Sequence, residues 1–138
     1  MSKRDELIAI LRDYSIKVSE QRTTLLQQID AAQQVFSADS LHHKTKGKID
    51  LATIYRFLNI LKKNHLIREV PSIDDNKCYE YALSEKPLHP HFQCEKCHEI
   101  ICLRQLSSQD KAQLLGYAEQ NEIKEISLVF TGLCSKCK

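Results

Sequence analysis

Little in this chain loosens a fold. Three glycines and three prolines among 138 residues leave scant material for linkers or disordered tracts. No apolar run reaches the roughly 20 residues that a membrane-spanning helix requires. The amino terminus reads Met-Ser-Lys-Arg-Asp-Glu, charged and without an apolar leader behind it. No internal repeat and no low-complexity segment is present. Charge of one sign is also scarce: the net value is +2, which names no partner by itself. A folded chain kept in the cytoplasm, with its thiols reduced, is the expectation. Its length fits one domain or two small ones.

Against these absences stand six cysteines. Four are arranged as Cys94-Glu-Lys-Cys97 and Cys134-Ser-Lys-Cys137, with 36 residues between the pairs. Each C-x2-C turn aims two sulfurs at one point. Two such turns supply four thiolates in the tetrahedron that Zn²⁺ adopts in closed structural sites. The alternatives are a pair of disulfides or idle buried thiols, and a reducing compartment disfavours the disulfides. His89-Pro-His91 stands just ahead of the first pair and adds two imidazoles. Charge is divided unevenly along the chain. Residues 1–83 hold 13 Lys+Arg against 11 Asp+Glu, while residues 84–138 hold seven of each. All but one of the cysteines fall in the second part. The division suggests an anion-facing half and a metal-bound half.

Helical spacing of Leu7, Ile8, Leu11 and Tyr14 predicts a helix over 3–14. Ser19 fits the N-cap of a second helix, running to about Ala32 with Leu25, Leu26 and Ile29 inward. Ser37-Ala-Asp39 opens a short third helix, and a basic stretch with Lys44, Lys46 and Lys48 follows. Asp50 caps the clearest helix, Leu51 to about Lys63. Leu51, Ile54, Leu58 and Leu61 form its buried stripe, and Asn64 closes it in a left-handed cap. Strand patterns at 66–70 and 79–83, the latter with Tyr79, Tyr81 and Leu83 inward, flank a turn at 72–76. This order is a winged helix-turn-helix: the helices at 37–46 and 51–63 are the pair, and the hairpin is the wing.

The second helix of such a pair enters the major groove with its early residues on base edges. Thr53, Tyr55 and Arg56 occupy those places. Arg grips guanine through two hydrogen bonds, and Thr or Tyr meets the thymine methyl. Lys48, beside Lys44 and Lys46, supplies charge for phosphates. The plainer reading is a packing helix with a solvated Arg56; the hairpin and the lysines argue against it. Past Pro87 the pattern changes. Strands are predicted at 92–94, 100–103 and 126–130, and a helix from Ser107 to about Asn121 with Leu114, Leu115 and Ala118 apolar. An α/β unit of roughly 50 residues is too small for a generous core, so a metal staple is expected.

Five stretches run almost from end to end: Lys17-Val-Ser-Glu-Gln-Arg22, Ser37-Ala-Asp39, Leu51-Ala-Thr-Ile-Tyr55-Arg56-Phe-Leu-Asn59, His89-Pro-His91-Phe-Gln-Cys94-x2-Cys97 and Cys134-x2-Cys137. Together they resemble the ferric uptake regulator family of metal-dependent repressors, and the recognition-helix stretch is the most specific match. The resemblance implies a homodimer on AT-rich palindromic double-stranded DNA, with no small-molecule substrate and no membrane. It implies an α+β fold: a winged-helix DNA-binding domain over residues 1–84 and a small α/β dimerisation domain over 85–138, stapled by one structural Zn²⁺. Tyr55 and Arg56 would read bases, and Lys17 and Arg22 would meet the DNA backbone or minor groove. The implied function is repression of metal-homeostasis genes in response to a second divalent metal, Zn²⁺ or Fe²⁺.

That second site is kept only in part. The family commonly places a His where Val35 stands, a Glu where Ala82 stands, an acidic residue where Cys102 stands and a further His near Ile126. His98 also replaces a usual glycine. His89 and His91 remain, so the site is built differently or is lost. Cys78, Glu80 and Ala82 share one face of a strand. Glu80 or Cys78 could therefore reach a metal held by His89 and His91, and Cys102 is the other candidate. Their plainer roles are a solvated strand residue for Glu80 and small buried apolar groups for the cysteines. A thiolate among imidazoles favours Zn²⁺ over Fe²⁺. Zinc-responsive repression is therefore the first expectation and iron-responsive the next; peroxide sensing is disfavoured by the missing His at Val35. Two other functions stay open. One is constitutive DNA binding with the structural zinc alone. The other is a small zinc hydrolase, which needs an open metal position and a general base; no Glu stands beside His89 and His91 as in H-E-x-x-H.

Overall fold

A computed structural model describes residues 2–32, 35–73, 76–82, 89–124 and 126–138. The chain divides into two compact units, Met1–Val70 with Asn76–Leu83, and Pro71–Asp75 with Ser84–Lys138. The expected domain boundary at residue 84 and the inward Leu83 lie outside the described residues.

The first unit is mostly helical. Helix α1 (Lys3–Asp13) opens with a reciprocal cap in which the Asp5 N–H donates to Ser2 Oγ at 3.2 Å. Leu7 and Leu11, one turn apart, are buried. Ser19 Oγ accepts the Arg22 N–H at 3.2 Å at the start of α2 (Glu20–Ala32), which buries Leu25, Leu26 and Ile29. The two-residue strand β1 (Phe36–Ser37) runs straight into α3 (Ala38–Lys44), capped by Ser37. The turn after α3 has two left-handed residues in a row, Lys46 at φ 56 and Gly47 at φ 72. Glycine removes the steric cost from one of them.

Helix α4 (Leu51–Lys63) starts where Asp50 Oδ1 accepts the Thr53 N–H at 3.3 Å. Its buried stripe is Ile54, Phe57, Leu58 and Leu61. Phe57 therefore takes the place expected for Leu51, which is 37% exposed at the first helical position, beyond the end of the core. The expected left-handed Asn64 is also corrected. Its backbone sits at φ −90, its side chain donates to the Ile60 carbonyl at 2.9 Å, and His65 at φ 60 takes the left-handed step instead.

Strands β2 (Ile67–Val70) and β3 (Cys78–Tyr81) pair antiparallel, with Arg68 opposite Glu80, and the sheet order is β1-β3-β2. Phe36 of β1 stacks on Tyr79 with ring centroids 6.0 Å apart. Tyr79 and Glu80 are both buried and Tyr81 only partly, so β3 lacks the clean alternation its sequence suggested. One apolar cluster from Leu7 to Tyr79 joins helices and sheet.

In the second unit β4 (His91–Cys94) is the central strand. It pairs antiparallel with β5 (Ile100–Cys102) and parallel with β6 (Val129–Gly132). The last strand lies three residues later than the expected 126–130, because its register matches Phe130 to Phe92 and Gly132 to Cys94. Helix α5 (Ser108–Gly116) is capped by Ser107 as expected but stops at Gly116, short of Asn121, and Glu119 follows at φ 56. None of its residues is buried. Among the described residues no helix is long and apolar enough to cross a membrane.

Phe57 and Leu51 make a direct test of the corrected core. Phe57→Ala should lower the stability of the first unit by about 3–5 kcal/mol. Leu51→Ala should cost no more than about 0.5 kcal/mol, as surface changes do. Urea unfolding followed by circular dichroism reads both.

Candidate metal centres and the helix-turn-helix face

The two C-x2-C turns come together. The sulfurs of Cys94, Cys97, Cys134 and Cys137 all lie within 4.8 Å of one another. Each pair is placed by the end of a strand: Cys94 ends β4, and Cys134 comes two residues after β6. Cys94 Sγ accepts the N–H groups of Lys96 and Cys97 at 3.4 Å each, the mark of a turn wrapped around a sulfur anion. Cys97 and Cys134 sulfurs are 3.9 Å apart. Zn–S bonds of about 2.3 Å in a tetrahedron require sulfurs roughly 3.8 Å apart. The four side chains thus fit a closed zinc site. Hydrogen bonds from the N–H groups of Cys97, Cys134 and Lys96 pull the Cys94 thiol down to about 6. Hydrogen bonding to Cys134 and then Cys94, with desolvation behind, pushes the Cys137 thiol up to about 12.

A second group lies on the same sheet. Pro90 keeps His89 extended, and an extended chain points residues two apart to one face. The His89 and His91 rings are accordingly 4.6 Å apart between centroids. His91 is the direct cross-strand partner of Cys102. Side chains so paired share a face. His89, His91 and Cys102 each offer a ligand atom within 4.8 Å of the others, and both imidazoles are buried. Two nitrogens and a sulfur suit a borderline-soft cation such as Zn²⁺.

The other candidates lie in the first unit. Glu80 is buried on β3, where Arg68 Nε donates to its carboxylate; it is not the solvated residue of the plainer reading. Nothing local marks Arg68 as its partner, since only the strand register brings them together. Cys78 Sγ faces the Asn76 carbonyl at 3.8 Å and belongs to neither ligand group. Val35 and Ala82 are partly buried.

On the helix-turn-helix, α4 turns Tyr55 and Arg56 outward, with Tyr55 42% exposed. Arg56 Nη2 donates to Thr53 Oγ1 at 3.2 Å. The Thr53 hydroxyl and backbone hold the Asp50 carboxyl below its usual range, helped by the Arg56 charge. Lys17 and Lys48 are exposed. Arg22 has work inside the fold: its Nη1 donates to the Lys17 carbonyl at 2.9 Å, and its guanidinium lies 5.7 Å from the centre of the Phe57 ring.

A helix-turn-helix with a hairpin wing, followed by a small sheet that gathers four thiols, defines a metal-dependent winged-helix regulator. The comparisons agree with that class. The profile of the ferric uptake regulator family matches residues 13–131. The chain belongs to that family. It is 27% identical over 133 residues to the ferric uptake regulation protein of Campylobacter upsaliensis, covering 93% of this chain and 84% of that protein. It is 23% identical over 137 residues to the peroxide-responsive repressor PerR of Staphylococcus epidermidis, covering 97% and 89%. The Helicobacter pylori ferric uptake regulator, whose structure is described as having three functional metal-binding sites, superposes with a TM-score of 0.76 at 20% identity, over 96% of this chain and 89% of that one. The chain is therefore a metal-responsive transcriptional regulator and not an enzyme, which sets the hydrolase reading aside. Regulators of the family bind DNA and act as dimers.

The four-thiol centre makes its own prediction. Structural zinc contributes on the order of 10 kcal/mol or more to folding. Cys97→Ser should lose the metal and unfold the second unit while circular dichroism still shows the helices of the first. A zinc-free Cys97→Ser protein with an intact second unit would remove the staple from the account.

Proposed function

We propose that the chain is a zinc-responsive repressor with a structural Zn²⁺ at Cys94, Cys97, Cys134 and Cys137 and a regulatory Zn²⁺ at His89, His91 and Cys102. The observation that carries this reading is the convergence of two imidazoles and one thiol, from His89 two residues ahead of β4, His91 at its start and Cys102 at the end of β5. A thiolate in the set favours Zn²⁺ over Fe²⁺. Glu80 is the proposed fourth ligand. It is a buried carboxylate, nine residues before His89, and it replaces the ligands that Val35 and Ala82 cannot supply. Cys78 is not part of the proposal. Residues 1–84 form the DNA-binding domain and residues 85–138 the dimerisation domain. Exposed Tyr117 and Phe130 line one hollow with Leu114 and Leu128, an apolar face for a second copy. The regulator works in the cytoplasm on AT-rich palindromes. Tyr55 and Arg56 read bases, Thr53 steadies Arg56, and Lys17 and Lys48 meet phosphates. Arg22 shapes the loop that presents Lys17.

Metal acts by binding one arrangement of the two domains more tightly than others, and it shifts the equilibrium by that difference alone. A metal titration of DNA binding tests the site. The wild type should gain affinity with Zn²⁺. His89→Ala combined with His91→Ala should lose that gain yet keep the four-thiol zinc, and Cys102→Ser should respond only at higher Zn²⁺. Operator binding that ignores every metal once the structural zinc is in place would favour constitutive regulation. Activation by Fe²⁺ and not Zn²⁺ would make the site harder than a thiolate allows.

The DNA face has a separate test. Arg56→Ala should cost about 1–3 kcal/mol and relax base preference at one position. Lys48→Ala should weaken all sequences evenly and flatten the salt dependence. Base preference unchanged in Arg56→Ala would take α4 out of the groove.

A further inference from the structure

Gln93 is 1% exposed and sits on β4, two residues after His91 and one before Cys94. Residues two apart on a strand share a face and lie roughly 6–7 Å from one another. The Gln93 amide reaches in two directions. Its Oε1 accepts the Ile73 N–H at 2.7 Å and the Ser72 hydroxyl at 3.3 Å. Its Nε2 donates to the His98 carbonyl at 3.3 Å. His98 follows the first C-x2-C turn and is anchored there by its own N–H on the Cys94 carbonyl at 2.9 Å. Ser72 and Ile73 belong to the stretch between β2 and β3, yet that stretch clusters with the second unit.

We propose that Gln93 is the positioning residue that couples the His89–His91–Cys102 centre to the hairpin of the winged helix. The proposal rests on the reading of that centre as the regulatory site. The four-thiol centre braces one side of the amide through His98. Ligation of His91 acts on the same strand and the same face. A shift of β4 is passed to the Ile73 N–H, because its 2.7 Å bond to a buried amide oxygen is costly to break. Beyond Ile73 the path is covalent. Val70 and Cys78 close the hairpin in register, and β2 follows α4 through the His65 turn. The amide makes a poor metal ligand beside imidazole and thiolate, so its place next to both centres is mechanical.

The test compares full-length wild type, Gln93→Leu and Ile73→Pro. Each variant removes the same hydrogen bond from one end, and Ile73 is 47% exposed, so proline there spares the core. Affinity for an AT-rich palindromic duplex, selected by the wild type from a random pool, is measured with and without added Zn²⁺. Zinc content and thermal unfolding are followed alongside. The wild type should respond by a factor within the usual allosteric range of about 5–150. Both variants should load zinc at both centres yet respond by a factor close to unity. Hydrogen exchange over residues 70–73 should slow with Zn²⁺ in the wild type alone, a change that a merely structural amide would not produce. A wild type without any zinc response overturns both the reading of the centre and the coupling. A responding wild type beside an equally responsive Ile73→Pro or Gln93→Leu overturns the coupling alone.

Discussion

The second unit depends on four sulfurs meeting at one point. Its helix buries no residue, and its sheet consists of three short strands. Such a unit does not bury enough apolar surface to offset the entropy of ordering its chain. The sulfurs supply what the core lacks. The parallel ladder between β4 and β6 ends with Cys94 beside Gly132, and Cys134 comes two residues later. Ladder and thiols therefore specify each other. The strands cannot slip by one residue without carrying a sulfur out of reach, and the sulfurs cannot meet unless the strands are in register.

The first unit has the opposite character. Its helices and sheet close over a continuous cluster that includes Leu7, Leu25, Phe57 and Leu66, and each helix brings its own cap. Charge in it is paired across the sheet, as between Arg68 and Glu80. That pairing matters for the regulatory reading. A carboxylate already held by a guanidinium is oriented, and orientation by outer partners is how proteins tune metal ligands.

The helices were legible because their causes are local. Ser19, Ser37, Asp50 and Ser107 accept from backbone N–H groups three residues on, so four residues suffice to read each start. Stops were harder: Asn64 ends α4 through its side chain, and α5 yields at Gly116 though apolar residues continue. Strands depend on partners far away in the chain. The two-residue β1 carries no period at all, and β6 is positioned by a partner over thirty residues earlier. The four-thiol centre was legible from spacing alone. Cys102 is one candidate among several in the sequence, and only the register shows that it stands opposite His91. Gln93 and Arg68 were invisible, since a polar residue on a strand declares neither its burial nor its partner.

The two units also share the chain in an interleaved order. The first is made of Met1–Val70 and Asn76–Leu83, and the short span between them belongs to the second. A module that moves between proteins by a single crossover must be one unbroken stretch, and this winged helix is not. A hybrid spliced at residue 84 would carry its hairpin tip into a foreign carboxyl half with no glutamine to receive it. In such a hybrid the Ser72 hydroxyl and the Ile73 N–H keep an acceptor only where the new carboxyl half carries an amide at the place of Gln93.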